Sequence, residues 1–366
     1  MKVRIIVILL GILLFISPAQ SQSLLSELDK PTSIRFGGLP EDLTSTRSAV
    51  IIKIDNLEKE YQIRNHWESY AEKVHSSIIK MSIDPICYIY YDDWNSSPMI
   101  KDAFTTEMID RGVENIVLAS RTKVGLEDFN KLQIFKFNQS TSLIGENATV
   151  WTGESPSLEK IMLRLGRQIL SQGLERKNFL IPEKPYLLKD LPVFNGIQLS
   201  NYPGQLRRAT LGVVAPSKIT TPVNSTEKLE SAIENYNAGI EAEIIEMKLI
   251  LSNYPYKYEL IEYGEDEELY KKGYQFVLMN ICSTGKSIRN FLNYRTINET
   301  DYISIIPKDS GDVTLKTIPV NANVCKYFIK QTIAHDVHVG KQWDSDISWQ
   351  SALRNFIIHL KEDLKR

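Results

Sequence analysis

The sequence predicts an α/β chain of the α+β kind, in which one strand–helix–strand–helix–strand–hairpin–helix unit occurs twice. Each unit is expected to form a mixed sheet with helices packed on it. Three observations predict this. Arg111-Gly-Val-Glu-Asn-Ile-Val-Leu-Ala-Ser120 and Lys272-Gly-Tyr-Gln-Phe-Val-Leu-Met-Asn-Ile281 both set a glycine between a basic helix end and an apolar strand. Glycine suits that point because only it adopts the left-handed conformation there without a Cβ penalty. Secondly, Ile63, Trp67, Tyr70, Val74, Ile78 and Met81 recur at the same spacings as Leu229, Ile233, Tyr236, Ile240, Ile244 and Met247, one buried helical stripe in each case. Thirdly, the first strands and the anchor glycines share one offset, while Pro85 and Pro255 are shifted further. Residues gained in one connection are lost in the next, as surface loops drift.

The first strands read as Ala49–Ile54 and Thr210–Ala215. The striped helices follow, and Ser225 or Thr226 with Glu227 and Glu230 gives the second a capped start. Aromatic strands come after the prolines, Ile86–Tyr91 and Tyr256–Tyr263, then short helices over about 97–112 and 265–273. Beyond the anchors, Lys131–Phe137 with Ala148–Trp151, and Val324–Ile329 with Val337–Trp343, read as hairpins ending on tryptophan. Amphipathic helices over 155–173 and 348–365 close the units. An insertion over about 285–322 holds a further strand pair, Tyr302–Pro307 and Val313–Ile318. The units therefore span 47–174 and 208–366, behind a lead-in at 22–46 and joined by a strap at 175–207. The strap holds Pro182, Pro185, Pro192 and Pro203 among Phe179, Leu180, Ile181, Tyr186, Leu187, Leu188, Val193 and Phe194, too apolar for a solvated linker. It is expected to pack on both units.

Residues 1–21 read as a secretory signal peptide. Lys2 and Arg4 precede an apolar run from Ile5 to Ile16, and Ala19 and Ser21 supply the small residues before a cleavage point at Gln22. That run is too short to span a bilayer comfortably, and no later stretch reaches about 18 apolar residues. The expected address is the periplasm or the exterior, with no transmembrane segment after cleavage. A net charge of −2 argues against nucleic acid as a partner. Cys87, Cys282 and Cys325 are too few for a disulfide framework; the last two fall in strands of the second unit and could form one bridge, while Cys87 reads as a buried free thiol. Sequons at Asn95, Asn138, Asn147, Asn224 and Asn298 matter only in a eukaryotic secretory pathway.

The order of elements, with Gly112 and Gly273 ahead of apolar strands and hairpins ending at Trp151 and Trp343, resembles the amino-terminal domain of TolB and the related CsgG-like periplasmic folds. The resemblance implies protein–protein contact in the bacterial envelope, with no chemistry and no cofactor. This chain departs from it by carrying two units in tandem and no lipid-anchor cysteine after the apolar run, so no particular partner carries over.

Candidate chemistry is sparse. Asn280-Ile-Cys-Ser-Thr-Gly-Lys-Ser287 ends like a phosphate loop, but Asn280 stands where a glycine must turn the backbone, so a plain strand-to-loop turn and no nucleotide are expected. His335 and His338 suggest metal, with Asp344 and Asp346 nearby, yet on a strand they point to opposite faces. Asp92 and Asp93, beside Trp94, would suit glycan hydrolysis, although paired acids at a strand end are more often ordinary loop residues. Tyr88, Tyr90, Trp94, Tyr256, Tyr258 and Tyr263, joined by Tyr186 and Phe194 of the strap, either fill the core or form a recognition face. The function expected is a non-catalytic scaffold binding an envelope protein or glycan, with no cofactor; the alternative is an envelope enzyme using Asp92 or Asp93.

Overall fold

A computed structural model describes residues 33–56, 61–125, 127–189, 191–223, 225–294, 301–307 and 313–365. The segment read as a signal peptide, the sequons at Asn224 and Asn298 and the start of the lead-in lie outside the described residues. Among the described residues no helix is long and apolar enough to cross a membrane.

The first sheet contains β1 (Ile34–Phe36), β2 (Arg47–Ile54), β3 (Asp84–Tyr90), β4 (Val113–Val124), β5 (Glu127–Lys136) and β6 (Ala148–Ser155) in the order β1-β6-β5-β4-β2-β3. The second contains β7 (Gln198–Leu199), β8 (Leu211–Val214), β9 (Tyr258–Ile261), β10 (Phe276–Thr284), β13 (Asn323–Gln331) and β14 (Val337–His338) in the order β7-β14-β13-β10-β8-β9. A separate antiparallel pair joins β11 (Asp301–Pro307) to β12 (Val313–Pro319). Order and strand sense match position for position. In each sheet the two strands at one end run parallel to the anchor strand, the hairpin is antiparallel, and a short parallel strand closes the other edge.

Eight helices complete the described structure: α1 (Trp67–Ile78), α2 (Tyr91–Trp94), α3 (Pro98–Asp110), α4 (Leu158–Ser171), α5 (Glu227–Leu251), α6 (Asp266–Lys271), α7 (Gly285–Phe291) and α8 (Trp349–Lys365). The anchor glycines end α3 and α6 as their sequence suggests, with φ of 69° at Gly112 and 98° at Gly273. Tyr274 N–H bonds back to Leu269, closing the α6 end.

Apolar side chains settle into three cores. Val50, Ile52, Tyr88 and Tyr90 of the first sheet pack under α1 and α4, and Leu211, Val213, Phe276 and Leu278 of the second pack under α5 and α8. The opposite faces of both sheets share one middle core. There Ile51, Ile89 and Phe104 join Met279, Ile288 and Phe328, and Phe104 meets Phe291 edge to face at 6.2 Å. The layers run helix, sheet, helix, sheet, helix.

Several expectations need correction. Ile63 lies outside α1 and bridges Ala322, while Met81 falls in a single 3-10 turn after the helix. The second hairpin stops at His338, because Gly340 turns with φ of 78° against the Tyr202 ring. The edge strands β1 and β7, in the segments read as lead-in and strap, carry too few residues to show periodicity. Only part of the strap packs. Leu188 is buried and Leu187 half-buried, but Phe179 and Leu180 are 80% and 98% exposed. Tyr186 and Leu188 instead bond the backbone of Tyr88, so the strap adds itself to the β3 edge.

Candidate functional site

The residues with the most chemistry meet where the two units touch. β3 runs straight into the single turn of α2, which lifts Asp92 and Asp93 off the end of the first sheet. β10 of the second sheet ends opposite them on Ser283 and Thr284. The Thr284 hydroxyl accepts from Ser287 N–H at 3.1 Å and so caps α7, which continues the chain where the sequence suggested an open turn.

Arg64 closes the junction. Its Nη1 and Nη2 donate to Asp93 Oδ2 and Oδ1, both at 2.8 Å, in the two-pronged geometry that suits guanidinium to carboxylate. Nη2 also donates to Ser283 Oγ at 2.9 Å, and Ser283 donates to Asp93 Oδ1 at 2.5 Å. Nη1 reaches Ser287 Oγ at 3.3 Å, and the guanidinium sits 4.2 Å from the Tyr90 ring centre. Backbone bonds reinforce the contact: Arg64 N–H to Asn321 O at 2.8 Å and Cys282 N–H to Ser96 O at 2.9 Å.

The electrostatics follow from burial. Desolvation alone would lower the Arg64 pKa, but the Asp93 carboxylate beside it holds the guanidinium above its ordinary value. Asp92 goes the other way: burial pushes its carboxyl up, against the partial relief from Arg64 and the Asn323 amide. A small cleft of about 100 Å³ opens beside this knot, with Arg64, His66, Lys189, Lys286 and Asn290 on its walls. Lys286, from the incomplete phosphate loop, is exposed there, while Lys189 is paired with Glu68 at 2.8 Å.

The other candidates disperse. Tyr88, Tyr90 and Trp94 are buried, Tyr88 bonded to His75 Nδ1 at 2.9 Å and Tyr90 to Ile54 O at 3.1 Å. These rings present no surface. Tyr256 and Tyr258 are half-buried against Tyr254 in the opposite outer core, and Tyr263 is half-buried beside the middle core. Tyr186 lies under Arg111, and Phe194 packs edge to face on Phe328. The eight aromatics therefore make no common face. His335, at φ 57° in a turn, bonds Asp266, and His338 bonds Asn201 O, so the two imidazoles serve separate contacts. Among the described residues no cluster of three or more His, Cys, Asp or Glu is placed to hold a metal.

A second polar cluster lies inside the second unit, of which the sequence singled out only Asp344, and that as a neighbour of His335 and His338. Lys326 and Asp344, 0% and 1% exposed, form an ion pair at 2.5 Å, and His359 Nδ1 stands 3.5 Å from the other carboxylate oxygen. The Lys326 ammonium also lies over the Trp343 ring. Nearby, Cys282 and Cys325 face each other across β10 and β13 and form a disulfide, while Cys87 is a buried free thiol.

Comparison with protein-family models, with curated proteins and with solved structures finds no match to this chain. The TolB- and CsgG-like layout therefore rests on the sequence pattern alone.

Proposed function

We propose that this chain is an exported, non-catalytic scaffold that binds an envelope protein or glycan across the surface its two units make together. The observation that carries this reading is the Arg64–Asp93–Ser283 knot. Asp93 accepts from Arg64 at both oxygens and from Ser283 of the second unit at Oδ1, so most of that carboxylate's acceptor capacity goes to closing the junction and not to a substrate. The shared middle core and the strap bonded along β3 hold the pair in one fixed relation. Grooves between such units are common binding sites. The Cys282–Cys325 bridge fits an oxidising compartment, in keeping with the signal sequence. We further propose that the matched strand orders descend from duplication of one unit.

One observation favours the enzymatic alternative: burial holds Asp92 toward its neutral form, as a general acid requires. The two readings separate in one experiment. A photo-crosslinking side chain placed at exposed Lys286 should trap one partner in the native envelope, and Asp92→Asn should leave that adduct intact. Turnover of an envelope glycan that Asp92→Asn abolishes, with the fold preserved, would overturn the scaffold reading in favour of the enzyme.

A further inference from the structure

The two sheets differ at one edge. β3 ends the first sheet, and the strap covers it: Tyr88 N–H donates to Tyr186 O at 2.8 Å, and Leu188 N–H to Tyr88 O at 2.9 Å. β9 ends the second sheet in the same place. Val50 pairs with Tyr88 and Val117, and Val213 pairs with Leu260 and Leu278. Val117 and Leu278 lie equally far past Gly112 and Gly273, so Leu260 occupies the position that Tyr88 holds in the first sheet.

The outward groups of β9 follow from strand geometry. Lys257 and Ile261 turn their carbonyls toward β8, accepting from Leu211 and Ala215 at 3.0 Å each. Successive backbone groups alternate in direction along a strand. Tyr258 and Leu260 therefore point N–H and C=O away from the sheet, and no described backbone group bonds them. An unpaired edge of this kind is a template for another strand.

We infer that the β9 edge is a docking site for an extended partner peptide, added parallel to β9 as the strap is added to β3. The occupant's chemistry can be read from the strap and from the surroundings of the edge. The strap places adjacent Leu187 and Leu188 against the two faces of the first sheet, with Lys184 and Lys189 flanking them. β9 offers half-buried Tyr258 and Leu260 on one face and half-buried Ile261 and Tyr263 on the other. On the strand and just after it Glu259 and Glu262 are exposed, while Asp266 and Glu267 of α6 are already paired with Lys330 and Lys271. The partner is thus an extended segment with two adjacent apolar residues between lysines or arginines. Backbone bonds would give affinity and the flanking side chains selectivity. This edge is separate from the Arg64 cleft, and the inference holds whichever reading of that cleft is right.

The strap's own sequence supplies the probe: a labelled peptide Lys-Pro-Tyr-Leu-Leu-Lys, titrated into the full chain and read by fluorescence anisotropy and hydrogen exchange. The peptide should bind saturably and slow exchange at the Tyr258 and Leu260 amides, leaving Tyr88 unchanged. Leu260→Pro removes an outward donor but no bond within the sheet, and should weaken binding about tenfold or more. Glu259→Lys with Glu262→Lys should weaken it as well. Absence of binding, binding undiminished in a folded Leu260→Pro chain, or protection at Tyr88 and not at Leu260 would each overturn the inference. So would concentration-dependent protection of Leu260 without peptide, which would assign the edge to a second copy. If Leu260→Pro fails to fold, the exchange pattern of the unaltered chain decides.

Discussion

Ser283, at the end of a strand in the second unit, donates a 2.5 Å hydrogen bond to Asp93, on the helical turn that ends a strand in the first. Arg64 grips the same carboxylate from the other side. Removing one partner of such a buried pair strands the other charge. Asp93→Ala is expected to cost about 3–5 kcal/mol in urea unfolding, and Arg64→Leu added to it should recover part of the loss. A loss within experimental error for Asp93→Ala would show that the knot holds nothing.

Asp92 behaves oppositely, although it is the adjacent residue. Burial raises its folded pKa, so its charge weakens the fold above the ordinary carboxylate range and that penalty fades as the pH falls. Asp92→Asn, measured at neutral pH, should be neutral or stabilising. A large destabilisation would mean that the charged form is bound more favourably than its surroundings suggest.

Within the second unit, Lys326 and Asp344 are expected to shape the acid and alkaline limbs of the stability profile. Burial opposes both charges, yet each holds the other ionised: Asp344 lies below its ordinary pKa and Lys326 above. The carboxylate's contribution is full above about pH 4 and is lost as the pH falls through its folded value. The ammonium's is full below about pH 10 and is lost as the pH rises through its own. Asp344→Ala should cost about 3–5 kcal/mol at neutral pH and flatten the acid limb of the stability profile. An unchanged acid limb would assign that limb to other groups.

Thiol chemistry should divide cleanly. Burial pushes the Cys87 thiol up to about 12, so it should resist iodoacetamide until the chain unfolds. Reducing the Cys282–Cys325 bridge, which closes a separation of 43 residues, should lower stability by about 3–4 kcal/mol. Rapid alkylation of Cys87 in the native chain would contradict its burial.

Cutting the strap should not part the units. Its exposed stretch around Phe179 and Leu180 invites a protease, and cleavage by chymotrypsin after Phe179 is expected. Size-exclusion chromatography should then show both fragments travelling together, because the middle core still joins them. Two separately eluting, folded halves would refute the shared core.

Long periodic elements were legible in the sequence, as were the two glycine-ended helices, because apolar spacing and left-handed turns are local properties. β1, β7 and α7 were not, since two to seven residues hold too little periodicity to be seen. The aromatic strands left two readings open for a physical reason: a tyrosine row suits a binding face and a core equally, and for Tyr88 and Tyr90 what decided it was α1 lying over them. Asp92 and Asp93 were visible, but not their setting. Arg64 and Ser283 are distant in sequence from Asp93, and no local pattern encodes a meeting between them.

The middle core also bears on how the chain comes to be folded at all. A sheet whose inner face carries Ile51, Ile89, Ile116 and Leu118 cannot hide that face with its own helices alone. During synthesis the first unit must keep it exposed until the second arrives, a long interval for a sticky surface to stay unoccupied. Each unit is in that sense the other's missing layer, so neither could be shed by the gene without leaving its twin prone to aggregate.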